Sequence, residues 1–521
     1  MKKLLAVSLT ICLSSSAFAL NWQMVGARSM AMGGAGVVTA SGTNAQYYNP
    51  ALLGEIPGDE KTWENGFHLG VQGEKPAIID ASRKLMDVSA QFKQLRINIG
   101  DDALLSASDL IAISKGMPHI QDLVNDNSFA TVSADAGFGL RRGNFGFSIR
   151  SINGMVATPV ADINNLRIGY AGDIGIQISD NTSLPTQHTT DAIALKNAIA
   201  STPSALENLR KMFGITSGYN TAQDLAYAIV NSLEDSPAAS HAEITSAVNS
   251  LIANLSDLTN ILNNMTDASD FYSGNKTRAL VDMASFNEAS LGYGFHIIHG
   301  IRLGGNVKVI EGLMDGTGIM LLSDDVGFST LMKDAWKNRK FSTNWGLDLG
   351  AAINFSDLFQ SNVLFNPDLG ITAKNLNSPK FKRPKRPAGW AYEWNSEDYK
   401  LKPQYRAGAS IHPFTNRVTV AADIDLNKND TISGNYKSRQ LSLGLEVIAM
   451  QRHTFQLPVR VGMNKNLAEH DAPTYITAGF GALNHDFDFE LGLAIGDRTE
   501  KVNGNDWPNA MGLSMTFAWF F

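Results

Sequence analysis

From about Gly66 to the end, the chain alternates. Short runs place large apolar side chains on one parity and small, polar or charged ones on the other. Successive side chains of a strand point to opposite faces, so such runs predict strands with one apolar face. The last run is the clearest. Met511, Leu513, Met515, Phe517, Trp519 and Phe521 share a face; Ala510, Gly512, Ser514, Thr516 and Ala518 share the other, with Phe520 the one large residue among them. Fourteen runs can be marked in this way, at 66–73, 129–140, 144–151, 290–297, 302–310, 341–355, 368–376, 404–412, 417–426, 439–449, 454–463, 474–482, 487–496 and 509–521.

The connections alternate too. Those after odd-numbered runs are long: 74–128, 152–289, 311–340, 377–403, 427–438, 464–473 and 497–508. Those after even-numbered runs are mostly a few residues, with 356–367 the longest. An even count with alternating short turns and long loops predicts an all-β transmembrane barrel of about fourteen antiparallel strands, its termini periplasmic and its long loops outside. A soluble barrel would turn its apolar face inward, and a membrane barrel turns it outward. The strand count, an export signal and the aromatic end favour the membrane. Phe517, Trp519 and Phe521 form an aromatic girdle, and they resemble the C-terminal strand by which bacterial outer-membrane barrels are recognised for insertion. Outer-membrane lipid and the barrel assembly machinery are therefore expected partners.

The opposite parity then faces a lumen, and it carries both signs of charge. Arg302, Arg406, Asp423, Glu446, Arg460, Asp488 and Glu490 all lie on it. Unpaired buried charge is costly, so these residues predict an acid–base ladder across the lumen. Asp488 and Glu490 form its acidic side, and Arg302, Arg406 and Arg460 are the candidate basic partners. The N-terminal segment would complete it.

Composition narrows the class. Lys2 and Lys3, the apolar Leu4–Leu13 stretch and Ala17-Phe18-Ala19 read as a secretory signal peptide over residues 1–19. Cys12 is the only cysteine and lies within it, so the mature chain is expected to have no disulfide and no thiol chemistry. Leu9-Thr10-Ile11 before Cys12 argues against a lipid attachment site. No mature stretch reaches ~18 consecutive apolar residues, so no transmembrane helix is expected. The net charge is −7 with the basic residues scattered, which gives no nucleic-acid surface. The histidines show no metal spacing, no nucleophile–base–acid pattern is present, and neither enzymatic activity nor a cofactor is expected. Asp425-Leu-Asn-Lys-Asn-Asp430 begins like a calcium loop, but it has Asp430 where the pattern needs glycine and Tyr436 where it needs an acid.

Residues 20–65 are rich in glycine and show no strong period. The segment Gly26-Ala-Arg-Ser-Met-Ala-Met-Gly-Gly-Ala-Gly36, followed by Ala45-Gln-Tyr-Tyr-Asn-Pro-Ala51, resembles the N-terminal signature of the FadL/TodX superfamily of outer-membrane transporters of hydrophobic compounds. The length and insertions resemble a branch of exported proteins labelled conjugal-transfer TraF. The resemblance implies an N-terminal hatch, residues 20–65, inside a barrel over 66–521. Gly33, Gly34 and Gly36 would belong to the hatch, with Asn49, Pro50 and Ala51 as its gating motif. It also implies a kinked third strand with a lateral opening, for which Asn153-Gly154 is the candidate.

Helical spacing appears inside the insertions at about 74–128 and 152–289: residues 80–95, 106–124, 191–200, 203–213, 221–233 and 242–265. Leu251, Leu255, Leu258 and Leu262 form one stripe, read as the packing face of a cap on the barrel mouth. The functional expectation is passive, hatch-gated uptake of a hydrophobic small molecule. The alternative is a structural or contact protein of the cell surface, such as a conjugation accessory, with a surface protein partner. A continuous apolar pocket would favour the first reading, and a lumen sealed by salt bridges the second.

Overall fold

The computed structural model describes residues 22–54, 63–75, 106–116, 130–160, 178–213, 215, 217–236, 240–263, 278–320, 339–384, 398–413, 417–431, 436–502 and 504–521. The expected signal peptide and the helical stretch 80–95 lie outside them.

Fourteen strands form one closed antiparallel barrel. They are β1 (Glu64–Glu74), β2 (Ala130–Arg142), β3 (Phe145–Val160), β4 (Arg278–Ile298), β5 (Ile301–Met320), β6 (Lys340–Asn354) and β7 (Asp368–Lys374). β8 (Gln404–Ile411), β9 (Val418–Asp425), β10 (Gln440–Arg452), β11 (Phe455–Asn466), β12 (Thr474–Asn484), β13 (Phe487–Gly496) and β14 (Ala510–Phe520) complete it. Each strand pairs with the next. The seam closes between β1 and β14, from Glu64 opposite Phe520 to Glu74 opposite Ala510. Two-stranded extensions stand on three of the long loops; one pairs Lys380–Phe381 with Tyr399–Lys400.

Every alternating run is a strand of this barrel. The differences are at the ends. β3 continues to Val160 and β4 begins at Arg278, so the second insertion is shorter than the pattern suggests. The pattern fades there because Ser151, Asn153 and Ser285 occupy outward parities that elsewhere carry large apolar side chains. They bond one another instead: Ser285 Oγ donates to Asn153 Oδ1 at 2.6 Å, and Asn153 Nδ2 donates to Ser151 Oγ at 3.0 Å. The kink expected at Asn153-Gly154 is absent. Both residues lie inside β3, paired without a register shift to Ala134 and Ser133 on one side and to Ser285 and Ala284 on the other.

The exterior is apolar in a continuous belt. Ile149, Leu291, Val307, Leu349, Ile371, Val420, Leu445, Val461, Ile476, Leu493 and Leu513 are all exposed. In water such a surface would be untenable for a monomer; in hydrocarbon it is the stable side of a closed barrel whose backbone groups are all paired between strands. No helix among the described residues is long and apolar enough to cross a membrane. The protein is an integral barrel of the outer membrane. Phe517 of β14 and Phe521 just beyond it are exposed, and Phe517 lies 5.7 Å from Trp519 and 6.3 Å from Phe487, ring to ring.

The two longest insertions fold together. α3 (Ala107–Gly116) comes from the first; α4 (Thr189–Ser201), α5 (Ala205–Met212), α6 (Ala222–Asp235) and α7 (His241–Leu262) come from the second. The labels α1 and α2 belong to two short N-terminal helices, Ala27–Ala31 and Ala45–Tyr48. α6 starts at a capping box, with Thr221 and Asp224 exchanging hydrogen bonds. Leu251, Leu255 and Leu258 are buried, but in a core made by the helices themselves, with Leu110, Leu195, Leu209, Leu225 and Ile229. Among the described residues, the barrel rim joins this core at Ala130 and Ala157. Ser114 of α3 bonds Ser250 of α7 at 2.7 Å, tying the two insertions into one cap.

Leu493 tests the direction of the faces. Leu493→Arg is expected to cost about 2–4 kcal/mol, because the charge would enter hydrocarbon. Urea unfolding in lipid vesicles measures it; an unchanged midpoint would reverse the assignment of inside and outside.

Candidate functional site: the hatch and its seat

Residues 22–54 fill the barrel. They are almost wholly buried although they form little regular structure: α1, a turn at Gly33-Gly34, a short 3-10 turn at Gly42–Asn44, α2, and a second 3-10 turn at Pro50–Gly54. Gly33 and Gly34 take positive φ, 66° and 90°, which a side chain would resist.

A segment with so few internal hydrogen bonds must find partners elsewhere, because buried backbone groups left unpaired are costly. The wall supplies them. Thr516 Oγ1 accepts from Ala27 N at 2.9 Å, and Thr477 Oγ1 accepts from Gly33 N at 3.0 Å. Asp423 Oδ2 accepts from both Gly36 N and Val37 N, at 2.7 and 2.9 Å. Glu64 Oε1 accepts from Thr43 N at 2.8 Å. Asn464 Nδ2 donates to Gly33 O at 3.0 Å.

The wall also makes room. At Gly462 a Cβ would collide with Met32 and Gly33 of the hatch, at Gly444 with Met32, and at Gly479 with Ala31. On the far side Gly350 is pressed against Asn49 and Gly304 against Pro50. Inward-facing glycines on β5, β6, β10, β11 and β12 thus form a seat shaped to the hatch.

Asn49, Pro50 and Ala51 are fully or nearly fully buried. Asn49 is extended (φ −157°, ψ 109°), as the residue before a proline should be. Its Nδ2 donates to Val37 O at 3.0 Å within the hatch and to Ala351 O at 3.1 Å on β6, and its Oδ1 accepts from Ala51 N at 3.0 Å. One side chain thus ties the two arms of the hatch to each other and to the wall. Tyr48, whose hydroxyl burial holds above its usual pKa, donates to Val25 O at 3.1 Å.

The charges pair, but not as one ladder. Glu446 lies directly opposite Arg460 across β10 and β11 and forms an ion pair with it. Arg460 continues to Glu490 at 2.9 Å. From the hatch, Arg28 places Nη2 2.9 Å from Glu446 Oε1 and Nε 3.1 Å from Oε2. The expected grouping of Arg302 and Arg406 with Asp488 and Glu490 is corrected. Arg406 pairs with Asp425 at 2.7 Å, directly across β8 and β9, and Arg302 lies 3.7 Å from Asp368. Strand register decides these partners, and it carries Arg302 and Arg406 to other sectors of the wall. Asp423 serves the hatch backbone. Asp488 lines the periplasmic cavity described below.

Arg28 is the residue the sequence reading passed over. It is the only charged side chain between Leu20 and Gly54, and that isolation was the available signal. The aromatic contacts of the hatch were also missed. Arg406 Cζ lies 4.4 Å from the centroid of Trp22, and Lys374 Nζ lies 3.8 Å from that of Trp22 and 3.1 Å from that of Tyr47.

Below the hatch, on the side of the short turns, a cavity of about 610 Å³ opens among Arg28, Glu64, Arg302, Asp368, His412, Glu446 and Asp488. Above it lie voids of about 30 Å³, one beside Trp22 and Glu74 and another beside Tyr47 and Lys374. The calcium-like stretch offers no open carboxylate. Asp425 bonds Arg406, Asn429 and Gln440 N; burial tends to raise the Asp430 carboxyl, but hydrogen bonds from Lys402 and Lys437 outweigh it and hold it below the usual range. Among the described residues no cluster of three or more histidine, cysteine or acidic side chains is arranged to hold a metal.

A closed, apolar-skinned barrel filled by its own N-terminal segment is a plugged outer-membrane barrel. The chain matches the family described as "F plasmid transfer operon, TraF, protein" over residues 46–425, most of its length, and it belongs to that family. No curated protein matches it. Among solved structures, it is similar to the Ralstonia pickettii toluene transporter TbuX, with 11% identity, a TM-score of 0.41, and 96% of this chain and 99% of that one covered. The Pseudomonas putida toluene transporter TodX gives 11% identity, 0.40, and 96% and 99%. A Pseudomonas aeruginosa FadL homologue gives 8% identity, 0.38, and 97% and 100%. Likeness at this level carries no function across.

Glu446→Gln is expected to weaken the hatch by about 1–3 kcal/mol, since Arg28 would lose both of its charge-assisted hydrogen bonds while Arg460 keeps Glu490. Hydrogen exchange at residues 27–37 reads the loss; Arg302→Gln, which touches the Asp368 pair and not Glu446, should leave those amides protected. Asp423→Ala should expose Gly36 and Val37 to exchange at a cost of about 1–3 kcal/mol per unpaired group.

Proposed function

We propose that the protein is a passive conduit for hydrophobic small molecules, closed by its hatch and opened when the hatch shifts. One observation carries this reading: the segment that fills the lumen is held by hydrogen bonds, one ion pair and a fitted glycine seat, and by no covalent tie other than its own chain. Contacts of this kind are individually modest and can be exchanged for water. The turn at Gly33-Gly34 and the Asn49-Pro50-Ala51 corner are the places where the backbone can re-aim. The unbroken pairing of β3 supports a route through the lumen instead of through the wall. In this reading the helical cap captures the ligand, and Phe517, Trp519 and Phe521 serve membrane assembly.

Locking the hatch tests it. An ideal Cβ at Gly66 lies 3.3 Å from Thr43 Cβ, close to the ~3.8 Å of a disulfide. In the otherwise cysteine-free mature chain, Thr43→Cys with Gly66→Cys should stop uptake of a radiolabelled monoaromatic hydrocarbon by whole cells when oxidised and restore it on reduction. Uptake indifferent to the redox state would sink the proposal.

A second reading, a surface contact protein of the conjugation apparatus, is favoured by the Arg28–Glu446–Arg460–Glu490 chain and the polar lining of the lumenal cavities. The family's description as a transfer-operon protein agrees with it. Excising residues 178–263 separates the two. Loss of mating with uptake intact supports the contact role, and loss of uptake with mating intact supports the conduit.

A further inference from the structure

We infer that the small void beside Tyr47 is a binding site for a monatomic anion, chloride in ordinary media, which acts as counter-ion to the hatch seat. The void is lined by three basic side chains, Arg150, Lys308 and Lys374, and two acidic ones, Glu288 and Asp348. Both carboxylates are already engaged by Lys308, at 3.3 Å for Glu288 and 3.2 Å for Asp348. Asp348 also accepts from Asn375 N at 2.8 Å. Asp135, on the strand next to Arg150, is turned to His68 at 3.5 Å.

Two cations remain. Arg150 and Lys374 are 3% and 6% exposed. Among the described residues, no carboxylate lies within ion-pair distance of either. What they share is the ring of Tyr47, with Lys374 Nζ 3.1 Å and Arg150 Cζ 4.6 Å from its centroid. An aromatic face offsets part of the burial of a cation, not all of it. Lysine can relieve such a position by losing its proton. Arginine cannot, because its guanidinium stays protonated in proteins. With Lys374 protonated the lining carries one more positive than negative charge, and Arg150 keeps its own charge whatever Lys374 does.

Size selects the ligand. A void of about 30 Å³ holds one or two waters, or one monatomic ion. The ion would sit where the hatch, through Tyr47 and Gln46, meets β3, β5 and β7, so occupancy should tighten the closed form. The inference concerns the closed form alone and stands whichever function is correct.

The test uses the full-length barrel in detergent, with bromide as the probe. Crystals soaked in sodium bromide should show an anomalous peak in this void. Thermal unfolding of the unmodified chain should shift upward and saturate with chloride or bromide, but not with gluconate at matched ionic strength. Lys374→Met should lose the halide dependence, and Lys374→Arg should keep it. Two results would overturn the inference: bromide crystals with water alone in the void and a melting temperature indifferent to halide, or stabilisation by a medium-chain carboxylate and not by halide. Both readouts on the unmodified protein stand even if a variant does not fold.

Discussion

The structure depends on how a nearly shapeless segment is satisfied inside a closed sheet. A fourteen-strand barrel leaves a lumen, and filling it with a glycine-rich chain buries amides that have no helix or sheet of their own. Asp423, Thr477, Thr516 and Glu64 accept those amides from the wall. The placement of the hatch follows from these four side chains and from the glycines that let it approach. The Glu446 ion pair with the hatch then holds Arg28, the one charged side chain of residues 22–54.

The strands were legible because a membrane barrel obeys a simple rule twice. Each strand alternates, and each hairpin alternates short turn with long loop. Met511 to Phe521 shows the first, and the tight turns at Arg142–Phe145 and Asn484–Phe487 show the second. The pattern dimmed where small polar side chains, buried and bonded to one another, take the parity of the outward apolar ones, at Ser151, Asn153 and Ser285, and the ends of β3 and β4 were lost with it. The site was legible by composition and not by partnership. The inward parity of Arg406, Asp423, Glu446, Arg460 and Glu490 could be read from the chain. Which acid meets which base could not, since that is set by register and barrel closure. Asp423 looked like one more lumenal charge, and its work for Gly36 and Val37 depends on where the hatch lies.

The helical cap follows a different logic. Its leucine stripe has the right period, but the period does not say what it packs on. The stripe is buried by helices of two separate insertions, so the cap has its own core, which among the described residues meets the barrel rim at Ala130 and Ala157. It can therefore vary without disturbing the barrel below it. The hatch lacks that freedom, since most of its partners are wall residues.

The sequence distance between those partners has a consequence for biogenesis. Ala27 bonds Thr516, and Arg28 bonds Glu446, across 489 and 418 positions of the chain. The hatch leaves the secretion channel first, yet the side chains that satisfy it arrive last. A hatch that fills its lumen so closely gains these partners only once the last strands have been made. A sheet that curls around the segment, with the join between β1 and β14 made last, would satisfy it without threading. The plug then serves as the former on which the barrel is wound, and an early strand held open to receive it is the expected hand-off point for any assembly factor.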